Sequence, residues 1–490
     1  MKKLKLTSVL AVFLGIMLLV SCGEELMKDP ILDVSVSKVD FDEEGGIMEI
    51  TISSNDDWSI SHQAQAWLQL SQSKGSSGSA SIELTVSPNA TGLTRTAILN
   101  ITSPNGQARR INVSQISTIY PSYNTSPLPP DATGMSSNAV ELAAKMGLGW
   151  NLGNTLEAII NGVGDETFWG NPKTTKEYID FVKATGFNTI RLPVAWDVYL
   201  SNEETAKIDP QWLDRVKEVV QYCIDNDMYV LLNIHWDGGW LESNCTPAKK
   251  DEVNAKQKAY WQQIATHFRD YDEHLMFASA NEPEVHNAVE MEVLLSYHQT
   301  FVNAVRSTGG RNSYRVLVVQ GPGTNIERTY ELMHTLPTDE IEGRMMAEVH
   351  YYTPSQFCIL FEDVSWGSMA YYWGQGNNST LEPDRNSTYG DEAEAAKSFA
   401  LSKKQFVDKG IPVLLGEYGA YRRHKSANVP MDLELHHKSV DDWTYYITSL
   451  AIQNGMIPFW WDTGAALDRS NYTVKDQRTI AKLLEALQDN

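Results

Sequence analysis

The chain has 490 residues, enough for two or three domains with cores of their own. It is 42% hydrophobic and 10% aromatic, which places it among globular rather than disordered proteins. Its formal charge of −22 repels nucleic acid and anionic lipid, so neither is expected as a partner, whereas a neutral polymer is compatible.

Residues 1–22 decide the compartment. Lys2, Lys3 and Lys5 make a basic start, and Leu10 to Val20 form an apolar run short for a membrane span. The run ends in Leu19-Val20-Ser21-Cys22, which resembles a bacterial lipobox. That resemblance implies cleavage before Cys22, lipidation of Cys22, and a soluble body tethered to the outer membrane of a Gram-negative cell. The alternative is an ordinary signal peptide with an incidental cysteine. Gly23-Glu24-Glu25 resembles the surface-export signal of Bacteroidetes lipoproteins, which implies display at the cell surface. Cys223, Cys245 and Cys358 allow at most one internal disulfide and lack metal-ligand spacing, so they read as core or incidental thiols.

Residues 31–117 alternate apolar and polar positions in short runs, among them Met48-Glu-Ile-Thr-Ile, Ser81-Ile-Glu-Leu-Thr-Val and Ile111-Asn-Val-Ser-Gln. Turn signals such as Ser103-Pro-Asn-Gly106 separate them, and the pattern predicts an all-β sandwich. Trp58 and Trp67 fall inside it and are expected in its core. The order Asp57-Trp58-Ser-Ile, Trp67-Leu68, Arg95-Thr-Ala97-Ile and Ile111-Asn-Val-Ser-Gln115 resembles a BACON domain, an immunoglobulin-like module. The name suggests carbohydrate binding. A spacer is the favoured reading, because no exposed aromatic triplet is evident.

Residues 118–133 are rich in proline and read as a semi-rigid linker. Over 134–490 apolar strand-like runs alternate with amphipathic helices. The runs are Leu148–Asn151, Thr189–Pro193, Met228–His235, Leu275–Asn281, Val316–Gln320, Met345–His350, Pro412–Gly416 and Met456–Trp461. Pro210–Asn226, Glu252–Arg269, Val289–Arg306 and Glu392–Lys409 are among the helices. This alternation predicts a (β/α)₈ TIM barrel, an α/β fold whose active site lies at the C-terminal ends of its strands.

Two of those runs end in glutamate. Leu275-Met-Phe-Ala-Ser-Ala-Asn281-Glu282-Pro283 and Ile411-Pro-Val-Leu-Leu-Gly-Glu417-Tyr-Gly419 each carry a carboxylate at an apolar strand's tip. Such a pair is what a retaining glycosidase needs, one as acid and base and one as nucleophile, about 5–5.5 Å apart. The other tips add Trp150-Asn151, Arg191-Leu-Pro193, His235-Trp236-Asp-Gly-Gly-Trp240, His350-Tyr351-Tyr352 and Trp460-Trp461-Asp462.

The set Arg191, His235, Asn281-Glu282, His350-x-Tyr352, Glu417 and Trp461 resembles glycoside hydrolase family 5. Trp150-Asn-Leu-Gly-Asn154, Glu166-Thr-Phe-Trp-Gly-Asn-Pro172 and His235-Trp-Asp-Gly-Gly-Trp240 are most similar to its branch acting on β-1,4-glucans and xyloglucan. The resemblance implies Glu282 as acid/base with a raised pKa, and Glu417 as ionised nucleophile. It also implies Arg191 and Tyr352 as donors to Glu417, and Asn281 on the 2-hydroxyl of the reacting sugar. His235 and His350 would orient hydroxyls or carboxylates, with Trp461 as stacking floor. Trp169, Trp236, Trp240, Trp366 and Trp373 sit on loops and are candidates for outer subsites or for simple plugs. The long segment from Thr353 to Asp391 is expected to wall one side of the cleft.

The sequence shows no phosphate loop or metal cluster, and the mechanism needs neither cofactor nor metal. The expectation is a monomeric, surface-tethered, retaining endo-β-1,4-glucanase acting on a plant-wall polysaccharide, with linear glucan, xyloglucan and mannan as open alternatives. A non-catalytic glycan-binding barrel would lack a catalytic carboxylate, and both are present. A transglycosylase would carry the same residues.

Overall fold

The computed structural model describes residues 29–89, 94–423 and 428–490, so the leader and the lipidation candidate Cys22 lie outside the described residues. The chain forms two compact units, with Ser117 closing the first and Thr118 opening the second.

The first unit is the expected β-sandwich. One sheet runs in the order Leu32–Val34, Gly46–Ser54, Gly78–Val86, Leu68–Leu70. The other runs Lys38–Phe41, Ala108–Gln115, Arg95–Thr102, Trp58–Ser61, Lys74–Gly75. Alternation becomes burial: Ile50, Ile52, Ile82 and Leu84 from the first sheet share one core with Leu99, Ile101, Ile111 and Val113 from the second. Trp58 belongs to that core. Trp67 does not go fully inside; it lies half-buried beneath the Arg95 guanidinium, 4.6 Å from its ring centre.

The second unit is a closed barrel of eight parallel strands. They are β1 (Gly149–Leu152), β2 (Thr189–Leu192), β3 (Tyr229–Asn233), β4 (Leu275–Ala278), β5 (Leu317–Gln320), β6 (Met345–Tyr351), β7 (Val413–Tyr418) and β8 (Met456–Asp462). Side-chain parity divides each strand. Val230, Leu232, Leu275, Phe277, Val413 and Leu415 join the large core shared with the helices. Leu231, Met276, Met346, Leu414, Ile457 and Phe459 form a separate apolar layer inside the barrel. The helices follow the same logic. Pro210–Ile224 starts on an Asp209 cap and buries Trp212, Val216, Val219, Val220 and Cys223 along one face. Cys223, Cys245 and Cys358 are buried free thiols, as expected.

One expectation is corrected. Residues 118–133 are not a linker but lie along the barrel. Leu128–Pro130 pairs in parallel with Gly309–Gly310, and at Gly309, with φ of 68°, a β-carbon would meet the Leu128 carbonyl oxygen at 1.7 Å. The Tyr123 amide donates to Gln262 at 2.8 Å, and the Tyr123 hydroxyl donates to the Thr205 carbonyl at 2.8 Å. Proline removes its own N–H, but the residues between prolines keep theirs, and the barrel flank accepts them.

Candidate active site

Parity places the reactive groups. On β6 Met346 faces the barrel interior, so Glu348 and His350 face it too, one layer higher each. On β7 Leu414 faces inward, and alternation alone would put Gly416 inward and Glu417 outward. A bulge reverses this. The register between β6 and β7 runs Val349 to Leu415 and then His350 to Glu417, so Gly416 is skipped and Glu417 turns toward the interior. Only glycine fits there, because a β-carbon at 416 would lie 2.1 Å from Glu348 Oε1.

The site is built around Arg191 of β2, which is completely buried. Its Nη1 donates to Glu417 Oε1 at 2.8 Å and to Asn151 Oδ1 at 3.1 Å. Its Nη2 donates to Asn281 Oδ1 at 2.8 Å, and its Nε is ion-paired with Glu348 at 2.8 Å. Tyr352 donates to the other Glu417 oxygen at 3.1 Å. His350 Nδ1 lies 2.7 Å from Glu282 Oε1, and its Nε2 lies 3.2 Å from Glu348 Oε1. Glu282, His350 and Glu417 each present an atom within 4.8 Å of the others, closer than the spacing an inverting pair needs to admit a water. The Glu282 side chain is 43% exposed and that of Glu417 8%.

Charge is crowded here. Burial opposes a charge on His350, but Glu417, Glu282 and Glu348 outweigh it and push its pKa up to about 9. Burial alone would raise Glu282; the His350 hydrogen bond, with Arg191 and Thr324, holds it below the ordinary glutamate value. Burial raises Glu417, against the pull of His350 and Arg191. This order differs from the expectation of a raised Glu282 in the resting site. The physical reason is His350, which carries the proton assigned to Glu282 from sequence. Three carboxylates face two cations, so the next proton to enter belongs to the group rather than to one residue. A protonated His350 offers a hydrogen rather than a lone pair, so the three are not a ready metal site.

A family model described as cellulase (glycosyl hydrolase family 5) matches residues 154–467. The chain belongs to glycosyl hydrolase family 5. A second model, the viral BACON domain, matches residues 32–118. The xyloglucan-specific endo-β-1,4-glucanase of Bacteroides ovatus is 34% identical over 486 residues, covering 96% of this chain and 94% of its own. A Bacteroides ovatus family 5 xyloglucanase in complex with a XXXG heptasaccharide superposes with a TM-score of 0.69 at 33% identity, covering 94% of this chain and all of that one. A xyloglucan-specific β-1,4-glucanase from a ruminal metagenomic library, in complex with XXLG, gives 0.66 at 39% identity over 72% of this chain and 96% of its own.

The structure brings Arg191, Asn281, Glu282, His350, Tyr352 and Glu417 together. His235 and Trp461 stand beside them, their rings nearly parallel at 5.8 Å. Burial, then Arg191 and His350, keep His235 neutral. Among the tryptophans, Trp169, Trp236 and Trp366 are exposed and free to meet a sugar. Trp240 is instead packed edge-on against Tyr260, with its indole N–H on Asp237 at 3.2 Å. Trp373 is buried, its N–H on the Gly390 carbonyl at 2.7 Å. Of the two readings held for these residues, the plug fits Trp373, while Trp240 stays partly exposed. The segment from Thr353 to Asp391 folds around its own apolar cluster of Leu360, Met369, Tyr371 and Tyr372. Glu166 anchors the Trp169 loop through a two-pronged pair with Arg215 at 2.6 and 2.9 Å.

Glu348 and Glu242 escaped the sequence reading, which named Asn151 only as a strand tip. Asn151 clasps Arg191 and donates to the Gly416 carbonyl at 2.9 Å, tying β1 to the bulge beside Glu417. Glu348 is described above. Glu242, buried behind β4, accepts the Glu282 amide at 2.8 Å, and burial lifts its pKa to about 7.

Proposed function

We propose that this family 5 enzyme hydrolyses the β-1,4-glucan backbone of xyloglucan by double displacement, with Glu417 as nucleophile and Glu282 as acid/base. The observation that carries the reading is the pair of carboxylates within 4.8 Å, one gripped by Arg191 and Tyr352, the other touched by His350. The three relatives and neighbours described above, all acting on xyloglucan, support the substrate.

In the first step Glu417 attacks the anomeric carbon of the reacting glucose while the leaving oxygen takes a proton from Glu282. The two donors on Glu417 fix its direction of attack and stabilise its charge until the ester bond forms. The proton on His350 Nδ1 crosses 2.7 Å to Glu282 as the leaving group develops negative charge. Asn281, itself held by Arg191, is placed for the 2-hydroxyl of the same sugar. Trp461 offers a flat, half-exposed face for the ring. In the second step Glu282, now a carboxylate, removes a proton from water, and the water opens the glycosyl ester with net retention.

The reading extends to location. The enzyme is exported and tethered through a lipid on Cys22, so that the barrel meets polymer outside the cell; palmitate labelling lost in Cys22→Ala tests this.

The deciding experiment assays residues 23–490, wild type and Glu417→Gln, for new reducing ends on xyloglucan, mixed-linkage glucan, carboxymethylcellulose and glucomannan. Xyloglucan preference with a dead mutant is the expected result. Preference for unbranched glucan would overturn the substrate, and an active mutant would overturn the nucleophile.

A further inference from the structure

The interior of a barrel is an expensive place for a charge, yet Glu348 sits there with none of its side chain exposed. Substrate cannot reach it. Its polar partners are Arg191 Nε at 2.8 Å, His350 Nε2 at 3.2 Å and Gln320 Nε2 at 2.5 Å. The space it fills exists because residue 416, at the bulge beside the nucleophile, has no side chain.

Resting on the reading above, we propose that Glu348 is a positioning residue that serves both catalytic carboxylates at once. It is ion-paired with the Arg191 guanidinium on the Nε side, without hydrogen-bond alignment, while the two terminal nitrogens donate to Glu417 and Asn281. It holds His350 by Nε2, so that Nδ1 points at Glu282. Its negative charge retains the proton that His350 and Glu282 share, and Arg191 and His350 in turn hold Glu348 below the ordinary glutamate value.

The other groups facing this pair do not replace that charge. Arg191 is a cation, His235 is neutral, Tyr352 stays a neutral phenol, and Glu417 and Glu282 are spent on the reaction itself. Glu242 accepts the Glu282 backbone amide rather than touching His350.

The test is the pH profile of kcat/KM on xyloglucan for wild type, Glu348→Gln and Glu348→Asp. The neutral variant removes one negative charge near two proton-binding groups, so both bind protons less tightly. The alkaline limb, where the His350–Glu282 pair loses its proton, and the acid limb, where Glu417 gains one, should each move acid by about one to two pH units. The shorter aspartate keeps the charge but loosens the grip, so its limbs should stay while kcat falls roughly 10- to 100-fold. Limbs that stay put in a folded Glu348→Gln overturn the proposal and leave a purely structural carboxylate. A second measurement stands if that variant does not fold: the two ring N–H proton resonances of wild-type His350, assigned by their loss in His350→Gln, should both persist at neutral pH. A neutral ring overturns the proposal. A wild type inactive on every glucan sinks the substrate reading instead and leaves the resonance measurement to decide this one.

Discussion

Tyr352 donates its hydroxyl to Glu417 Oε2 at 3.1 Å, on the opposite oxygen from the one that Arg191 holds at 2.8 Å. Burial, with the nearby Glu417 and Glu282 charges, raises the phenol well above its ordinary pKa, so it remains a donor throughout the working range. A hydrogen bond to a charged group contributes about 1.5–3 kcal/mol, so Tyr352→Phe should lower kcat about 10- to 100-fold. Binding of the outer sugars does not depend on this bond, and KM should change little. A Phe variant with wild-type kcat would show that Arg191 alone orients the nucleophile.

Glu282 presents an exposed carboxyl while its backbone amide is pinned by Glu242. Removing it in Glu282→Ala should reduce activity on polysaccharide about 10²–10⁴-fold. An aryl β-glucoside oligomer with a good leaving group needs no acid, so its first step should survive and the second should stall. Azide, a nucleophile that needs no base, should then restore turnover and yield the β-glycosyl azide. Recovery of the α-azide would contradict the two-step reading, because it signals a single inversion.

Much of this was legible beforehand because strand tips are short apolar runs with a polar end, and the barrel rule turns such ends into one ring. The rest was hidden for physical reasons. Glu348 had a usable signal: it stands two residues before His350, so whichever face one occupies the other shares. Glu242 had none, since it lies on a short loop turn and reaches the Glu282 amide across 40 positions of sequence. The packing of Trp240 and Trp373 depends on Tyr260, Asp237 and Gly390, which no local pattern announces. Proline content says that 118–133 is stiff but not what it lies against, and its partners are as far away as Ser307 and Gly309.

That docked segment makes its own prediction. A barrel begun at residue 134 loses the Leu128–Gly309 pairing and leaves acceptors on Gln262, Thr205 and Ser307 unanswered. Compared with a barrel begun at 118, it should melt lower by about 5 °C, given about 1 kcal/mol for each lost hydrogen bond. Equal melting temperatures in scanning calorimetry would return the segment to the status of a linker.

The last prediction concerns pH and stability. Asp237 is buried; its Oδ2 accepts the amides of Trp196 and Asp197, each at 2.7 Å, while its Oδ1 has no partner. Burial, and then the neighbouring Asp197 charge, raise its pKa to about 7 against the pull of those amides. A carboxyl raised on folding binds its proton more tightly in the folded state than in the unfolded one. The stability linked to that proton is complete below the ordinary aspartate value and is lost as pH rises through about 7. Buried Glu157 and Glu242, both raised to about 7, act in the same direction. The melting temperature should therefore fall as pH rises from about 6.5 to 8, above the range in which the buried neutral His235, His298 and His436 add stability with rising pH. Asn at 237 keeps an oxygen for the two amides and cannot ionise, so Asp237→Asn should show a shallower fall over the same interval. A mutant slope equal to that of the wild type would mean that Asp237 is ionised on both sides of the folding equilibrium, and that its amide bonds outweigh its burial.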